Sequence, residues 1–463
     1  MRPKLDLKNF ETYRDSTIKQ LKWQLNQFFD DHSELGCEHL KDYIADLNAY
    51  ENLDALEPIT QAHVKILEDE QNVELAEKAI LNGEIFWEHA AAGEATRLGL
   101  GTKYLLNLKD LSSEKIAELI SKEAGKEVSK EEVLKEAGCE SSDLLDINLG
   151  TRHMIQLAYD IAKLAKKHDK NLDTVLGRQK MLVIMNEKTG DQIVAEWKNY
   201  NYMGFNPDNI FFMVQKSFEG IDKKGAEVKY DISHDKHKRL HNHGQMAMQK
   251  THEKEIFRAD GTRLSSAEFE NILSEMKDLI SYNIEDIKYL TGAIDYQSMS
   301  LALELGAKGY GMVMEIVAQN PKRPQKGGAA FYDKKKDRVV MIESNQLKGI
   351  KPKDITHLNK NFNHYPNPVI SYRAVREGDM HLHTCVKSVV IDGKEKHYLY
   401  FCTPQGDINF LVKTAYVMRR VLKPIEAWKS AVNTPATVAA CHAQDKQEGF
   451  KEFCEEKIGV KFV

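Results

Sequence analysis

"KMLVIMNEKTGDQIVAEWKNYNYMGFNPDNIFFMVQ", Lys180 to Gln215, decides the fold class. It opens on one near-continuous apolar run, KMLVIMN, and closes on another, NIFFMVQ. A half-exposed strand alternates apolar with polar residues, whereas a strand covered on both faces does not. The intervening GDQIVAEWKNYNYMG reads as a helix, so the stretch is a strand–helix–strand unit, and that rhythm implies a largely parallel sheet with helices on its faces. Further strands are expected at GYGMVMEIVA, GGAAFYD and RVVMIES, and a hairpin around Asp392-Gly393 within HTCVKSVVIDGKEKHYLYFCTP, with helical segments from there to Val463.

Working outward, Phe10, Tyr13, Ile18, Leu21, Leu25 and Phe28 recur near helical spacing between Asn9 and Asp31, and a second helical stretch from Thr60 to Leu81 ends at Asn82-Gly83, a C-cap signal. A Lys/Glu-dense segment over 111–146 reads as solvated helices inserted into the core order. The expected organisation is a helical N-terminal segment over 1–82, a Rossmann-like α/β domain over 83–378 with a mixed, mostly parallel sheet flanked by helices, and a small α/β appendage over 379–463.

The chain has 463 residues, 42% hydrophobic and 29% charged, an ordinary globular mixture. Its net charge of −5 supplies no global basic field, which argues against a nucleic-acid partner. No uncharged apolar run approaches the roughly 20 residues that span a bilayer, and MRPKLDLKNFETYRD has no apolar signal region, so a cytoplasmic protein without a membrane partner is expected. Six cysteines (Cys37, Cys139, Cys385, Cys402, Cys441, Cys454) lack CxxC spacing and read as free thiols. Composition leaves the oligomeric state open.

The stretch AAAGEATRLGLGTK, Ala90 to Lys103, follows the strand-like Ile85, Phe86 and Trp87. A small-residue turn after a strand is where backbone N–H groups converge on phosphate, and Arg97 and Lys103 supply cations beside it. It fits neither the Walker A nor the dinucleotide spacing.

In motif order the chain resembles the UDP-sugar pyrophosphorylase family, the uridylyltransferases that join UTP to a sugar 1-phosphate. The family's LxGGxGTRLGxxxPK is matched by Ala90, Ala92-Gly93, Ala95-Thr96-Arg97-Leu98-Gly99 and Lys103, with Ala92 and Ala95 in place of glycines, no proline, and a loop one residue shorter. LVIMN, NIFFMVQKS, HNHGQM, YNIEDI, KGGAAF and KNFN follow in the family's order, covering roughly Ile85 to Ile370.

The resemblance implies a nucleotidyltransferase fold and a set of roles. Ala91, Ala92, Gly93 and Thr96 would cradle the triphosphate with Arg97; Lys103 would neutralise pyrophosphate and Lys360 the sugar phosphate; Gln215, His243 and Gly244 would face the nucleoside. Asn283, Lys326, Gly327, Glu343 and Asn363 would serve the sugar side, and Glu285 or Asp286 would hold Mg²⁺. Glucose 1-phosphate is the first expectation, with N-acetylglucosamine 1-phosphate or nucleotide binding without turnover as alternatives. Two histidine-rich sets, His234, His237, His241 and His243, and His381, His383 and Cys385, have zinc-compatible residue types without a complete four-ligand pattern, so zinc is not expected.

Overall fold

The computed structural model describes residues 10–31, 37–67, 72–93, 100–216, 218–219, 221–224, 229–232, 239–240, 243–319, 327–378, 380, 383–391, 394–419, 428 and 430–462. Nine strands form the path of a twelve-stranded main sheet: β1 (Lys65–Leu67), β2 (Ile85–Ala90), β3 (Lys180–Asn186), β4 (Ile210–Gln215), β5 (Ile256–Arg258), β6 (Asp278–Asn283), β7 (Met312–Ala318), β8 (His357–Pro366) and β9 (Thr414–Arg419). They lie in the order β5-β4-β3-β2-β6-β8-β7-β9-β1. The run β4-β3-β2-β6 is parallel, β8 is antiparallel to both neighbours, and β7-β9-β1 is parallel again. This is the expected mixed α/β sheet.

The opening stretch behaves as its apolar runs require. Along β3, Met181, Val183 and Met185 enter the core on one face of the sheet, while Leu182 and Ile184 enter the core on the other. The same alternation splits Ile85 and Trp87 from Phe86 on β2, and Ile210 and Phe212 from Phe211 and Met213 on β4. A strand buried on both faces favours apolar residues at successive positions, because an unpartnered polar group there is costly.

The helix within this unit runs over Gly190–Asn199, short of the expected Gly204. Asn201, Tyr202, Met203 and Gly204 all have positive φ, a left-handed turn that helical periodicity does not announce. The expected second N-terminal helix also differs: Gln61–His63 is a 3₁₀ turn, β1 joins the sheet, and among the described residues of this stretch only Glu74–Asn82 is α-helical. Gly83 does cap that helix, at φ +72°. Helices Phe10–Asp31, Ser113–Ala124 and Lys130–Ala137 match expectation.

The C-terminal segment contains the anticipated hairpin, His383–Ile391 against Lys394–Cys402, and the helices Thr434–Asp445 and Phe450–Ile458. It is bound into the body of the molecule, because β9 lies between β7 and β1. Cys139, Cys441 and Cys454 are free, but Cys385 is disulfide-bonded, which corrects the reading of all six as thiols.

Candidate functional site

Four parallel strands end side by side. Ala90 pairs laterally with Ile184 and Asn283, and Asn186 pairs with Gln215. The segments leaving these ends are Ala91–Gly93, 187–189, Lys216 and 284–286, the position at which open α/β sheets bind ligands.

Asn186 organises the first two. Its Oδ1 accepts from the N–H groups of Lys188 (2.9 Å) and Thr189 (3.0 Å), while Nδ2 donates to Ala92 O (3.2 Å) and Thr102 Oγ1 (3.3 Å). The N–H of Lys103 donates to Gly93 O at 3.2 Å and closes the base of the small-residue loop. Neither Ala91 nor Ala92 has positive φ, so alanine in place of glycine at 92 imposes no backbone strain. Thr96 and Arg97 lie outside the described residues.

The acidic turn after β6 is locked on itself. Asn283 Oδ1 accepts from Glu285 N (3.2 Å), Asp286 Oδ2 accepts from Asn283 N (3.1 Å), and Asp286 N donates to Asn283 O (3.0 Å). Lys103 is 3% exposed, and its Nζ donates to Glu285 Oε1 (2.7 Å) and to Trp428 O (2.6 Å). The N–H of Trp428 in turn reaches Glu285 O at 2.8 Å. Two residues assigned separately to phosphate and metal thus meet in one ion pair, clamped by a tryptophan that no motif singled out.

A cleft of about 350 Å³ opens at these strand ends. Asn283, Glu285, Asp286, Glu343 and Asn363 all line it, together with Asn345, Asn359, Cys385 and Gln405. The described lining holds three carboxylates and no cationic side chain.

The sugar-side motifs meet through packing. A Cβ on Gly328 would lie 2.9 Å from Glu343 Oε1, so the second glycine of KGG leaves room for that carboxyl. The ladder between β7 and β8 steps from Met314↔Asn363 to Ile316↔Asn359, so residues 360–362 bulge opposite Glu315. Bulges commonly re-aim side chains near sites. Lys360 lies in this bulge; its side chain, that of His243, and the whole of Lys326 are outside the described residues.

Gln215 is buried at the end of β4, and Gly327 lies at the mouth of the hairpin strand Ala329–Asp333. Gly244 N donates to Thr403 O at 2.7 Å, and a Cβ on Gly244 would come within 2.0 Å of that oxygen. Close backbone packing therefore accounts for this glycine, next to the Thr403–Gly406 wall of the cleft.

Burial pushes the Glu343 carboxyl up to about 7, with Asp407 adding to the shift. For a divalent metal, Glu285 and Asp286 offer two adjacent carboxylates, and Glu285 Oε2 has no partner among the described residues. Among those residues no group of three or more His, Cys, Asp or Glu could hold a metal. A divalent ion held by these two acids would have to take the rest of its oxygen shell from elsewhere, such as phosphate. Of the zinc-compatible residues, His383 is bonded to Asp407 at 2.6 Å and Cys385 is in its disulfide; His234, His237, His241 and His381 lie outside the described residues.

The sequence missed Trp428, Asn345, Asn359 and Gln405. Asn186, which had no expected role, stood at the end of the quoted strand KMLVIMN, whereas the contact of Lys103 with Trp428 spans 325 positions.

No family profile and no curated protein matches the chain at the level of sequence. Solved structures do match in fold. The uridine diphosphate N-acetylglucosamine pyrophosphorylase of Trypanosoma brucei, in complex with an inhibitor, aligns at TM-score 0.57 and 13% identity over 87% of this chain and 75% of its own. A variant UDP-glucose pyrophosphorylase of Leishmania major, in complex with UDP-glucose, aligns at 0.53 and 12% over 89% and 78%. A UDP-glucose phosphorylase of Trypanosoma brucei aligns at 0.51 and 12% over 89% and 77%. The chain has the fold of the UDP-sugar pyrophosphorylases.

Proposed function

We propose that this protein is a uridylyltransferase that forms a UDP-sugar and pyrophosphate from UTP and a sugar 1-phosphate, with glucose 1-phosphate as the first candidate. One observation carries the reading: Asn283, Glu285, Asp286, Glu343 and Asn363, taken from motifs spread over 81 positions of sequence, roughly, line a single cleft at the ends of the parallel strands.

The reaction is an in-line displacement at the α-phosphorus of UTP by a sugar-phosphate oxygen. That oxygen is already nucleophilic, so the protein's part is to position the reactants and offset charge. The described cleft is acidic while both reactants are polyanions, which makes cations central. Mg²⁺ held at Glu285 and Asp286 would lower the repulsion between the two phosphates. Lys103 is positioned beside the same acids, but its ammonium must leave Glu285 and Trp428 O before it can meet pyrophosphate. Arg97 and Lys360 supply further positive charge on this reading, and Glu343 and Asn363 take the sugar hydroxyls.

The test is pyrophosphate release with UTP, Mg²⁺ and a panel of sugar 1-phosphates. Release with glucose 1-phosphate above all others is the expected outcome, motivated by KGG and KxFN. Preference for N-acetylglucosamine 1-phosphate would replace the sugar. UTP binding without release from any sugar would replace the enzyme with a nucleotide-binding protein, the reading that the internal ion pair of Lys103 favours.

A further inference from the structure

The end of β4 is finished by a side chain. β5 runs antiparallel to β4, and their last pair is Met213↔Ile256; two residues before Ile256, Lys254 has φ +61° and leaves the extended geometry. Along an extended strand the C=O of one residue and the N–H two positions on face the same side. Beyond the last pair those groups belong to Val214 and Lys216, the residues on either side of Gln215. One carboxamide takes both: Gln249 Nε2 donates to Val214 O at 2.8 Å, and Gln249 Oε1 accepts from Lys216 N at 3.2 Å. Gln249 thus stands in for a paired residue of a neighbouring strand.

The carboxamide is itself fixed. Gln249 is fully buried at the end of the helix His243–Gln249, and its Nε2 also donates to Glu255 Oε2 at 2.7 Å. Glu255 is buried too, and its other oxygen accepts from Lys216 Nζ at 2.8 Å. One helical turn before Gln249, Gln245 Nε2 donates to Lys216 O. The same helix begins against the cleft wall, where Gly244 N meets Thr403 O. Two glutamines on one face of a helix therefore hold the chain around Gln215 and tie it to that wall.

Gln215 ends β4 beside Asn186, among the strand ends that receive the ligand of an open α/β sheet. A carboxamide there carries donors and an acceptor side by side, the complement of uracil's own donor–acceptor edge. We propose, on the uridylyltransferase reading, that Gln249 is the positioning residue for base recognition: by clamping the backbone on both sides of Gln215 it fixes where that carboxamide meets the base, and so sets the preference for UTP over other nucleoside triphosphates. A hydrogen bond made at about 2.9 Å is lost by about 3.6 Å, so a strand end free to shift by less than about 1 Å no longer reads the base. The clamp acts through Val214 and Lys216, on the nucleotide and not on the sugar phosphate, so the kinetic constants of the two substrates should separate.

Steady-state kinetics of two variants test the assignment. Gln249→Met keeps the length of the side chain and removes its hydrogen bonds. KM for UTP should rise on the order of tenfold, the worth of one well-made hydrogen bond, and the UTP-over-CTP ratio of kcat/KM should fall by a similar factor. KM for the sugar 1-phosphate should stay the same and kcat should change little. Gln249→Glu combined with Glu255→Gln can restore every one of these bonds except that to Val214 O, at the same net charge, and should recover part of the loss. A merely structural Gln249 would lower the yield of folded enzyme and leave KM and the UTP-over-CTP ratio where they are; that result in either folded variant overturns the proposal alone. In the wild type, amide hydrogen exchange at Lys216 should be as slow as in the β4 ladder, and exchange at the rate of an open loop overturns the clamp even if neither variant folds. No pyrophosphate release from UTP by the wild type with any sugar 1-phosphate overturns the uridylyltransferase reading, and the proposal with it.

Discussion

Glu88 and His89 are neighbours on β2 and point to opposite faces of the sheet, where two buried polar groups are accommodated in different ways. On one face Glu88, 1% exposed, meets Lys250 Nζ at 2.6 Å, with Lys250 just past the helix His243–Gln249. On the other face His89 is fully buried among His153, Tyr104 and Tyr282, and neither ring nitrogen has a hydrogen bond among the described residues. The first face keeps two charges and pairs them, whereas the second keeps its histidines uncharged. Burial lowers His89 well below its ordinary value, with His153 adding to the effect, and burial lowers His153 to about 3. Both faces support Ala90, which lines the cleft, so the strand carrying the site is anchored by one ion pair and one set of neutral rings.

The largest expected effect comes from breaking the charged face. Lys250→Ala leaves Glu88 buried without a counter-ion and should cost about 3–5 kcal/mol of stability, measured by urea denaturation. Pairing Lys250→Met with Glu88→Gln should recover most of that loss, since neither charge is then stranded. If Lys250→Ala proves as stable as the wild type, Glu88 does not depend on Lys250 as its counter-ion.

Lys103 provides an intermediate case, a buried lysine whose partner Glu285 is open to the cleft, with side-chain exposures of 4% and 23%. Lys103→Ala should lower kcat by about 10²–10³. Its stability cost should be smaller than that of Lys250→Ala, because water reaches Glu285. Lys109→Ala, in the short turn Leu108–Asp110 and away from the cleft, should leave kcat unchanged and stability within about 0.5 kcal/mol. Equal turnover in wild type and Lys103→Ala would assign Lys103 a purely structural role.

The neutral face predicts a graded effect of pH. Both histidines bind protons less readily folded than unfolded, so below the unfolded value near 6.5 the unfolded chain takes up more protons and stability falls as pH falls. Each histidine contributes about 1.4 kcal/mol per pH unit between roughly 6.5 and its folded value. His153→Gln should flatten the dependence measured by denaturation between pH 7 and 5; an unchanged slope would show that the ring does not stay neutral in the fold.

Legibility followed the same division between local and long-range causes. The strands β2, β3 and β4 were readable because an apolar run buried on two faces leaves a local pattern. Asn283, Glu285, Asp286, Glu343 and Asn363 were found through motif order, and the fold places them on one cleft. The left-handed turn at 201–204 left no such trace, since its Tyr and Met are residues that usually avoid positive φ. β1 was hidden because a three-residue strand is too short to show a period.

By itself, the sequence determined which segments must be covered by others: periodicity and apolar content set how much of each element has to leave water, and that is a property of neighbouring residues. Tertiary structure alone decided the partners. Lys103 reads as a phosphate cation from its motif, yet in the fold its ammonium lies between Glu285 and Trp428, 182 and 325 positions away. Cys385 reads as a free thiol from its spacing, yet it is disulfide-bonded. Buried charges respond to whatever the folded chain brings within a few ångströms, and proximity across hundreds of residues is set by the packing of the whole sheet.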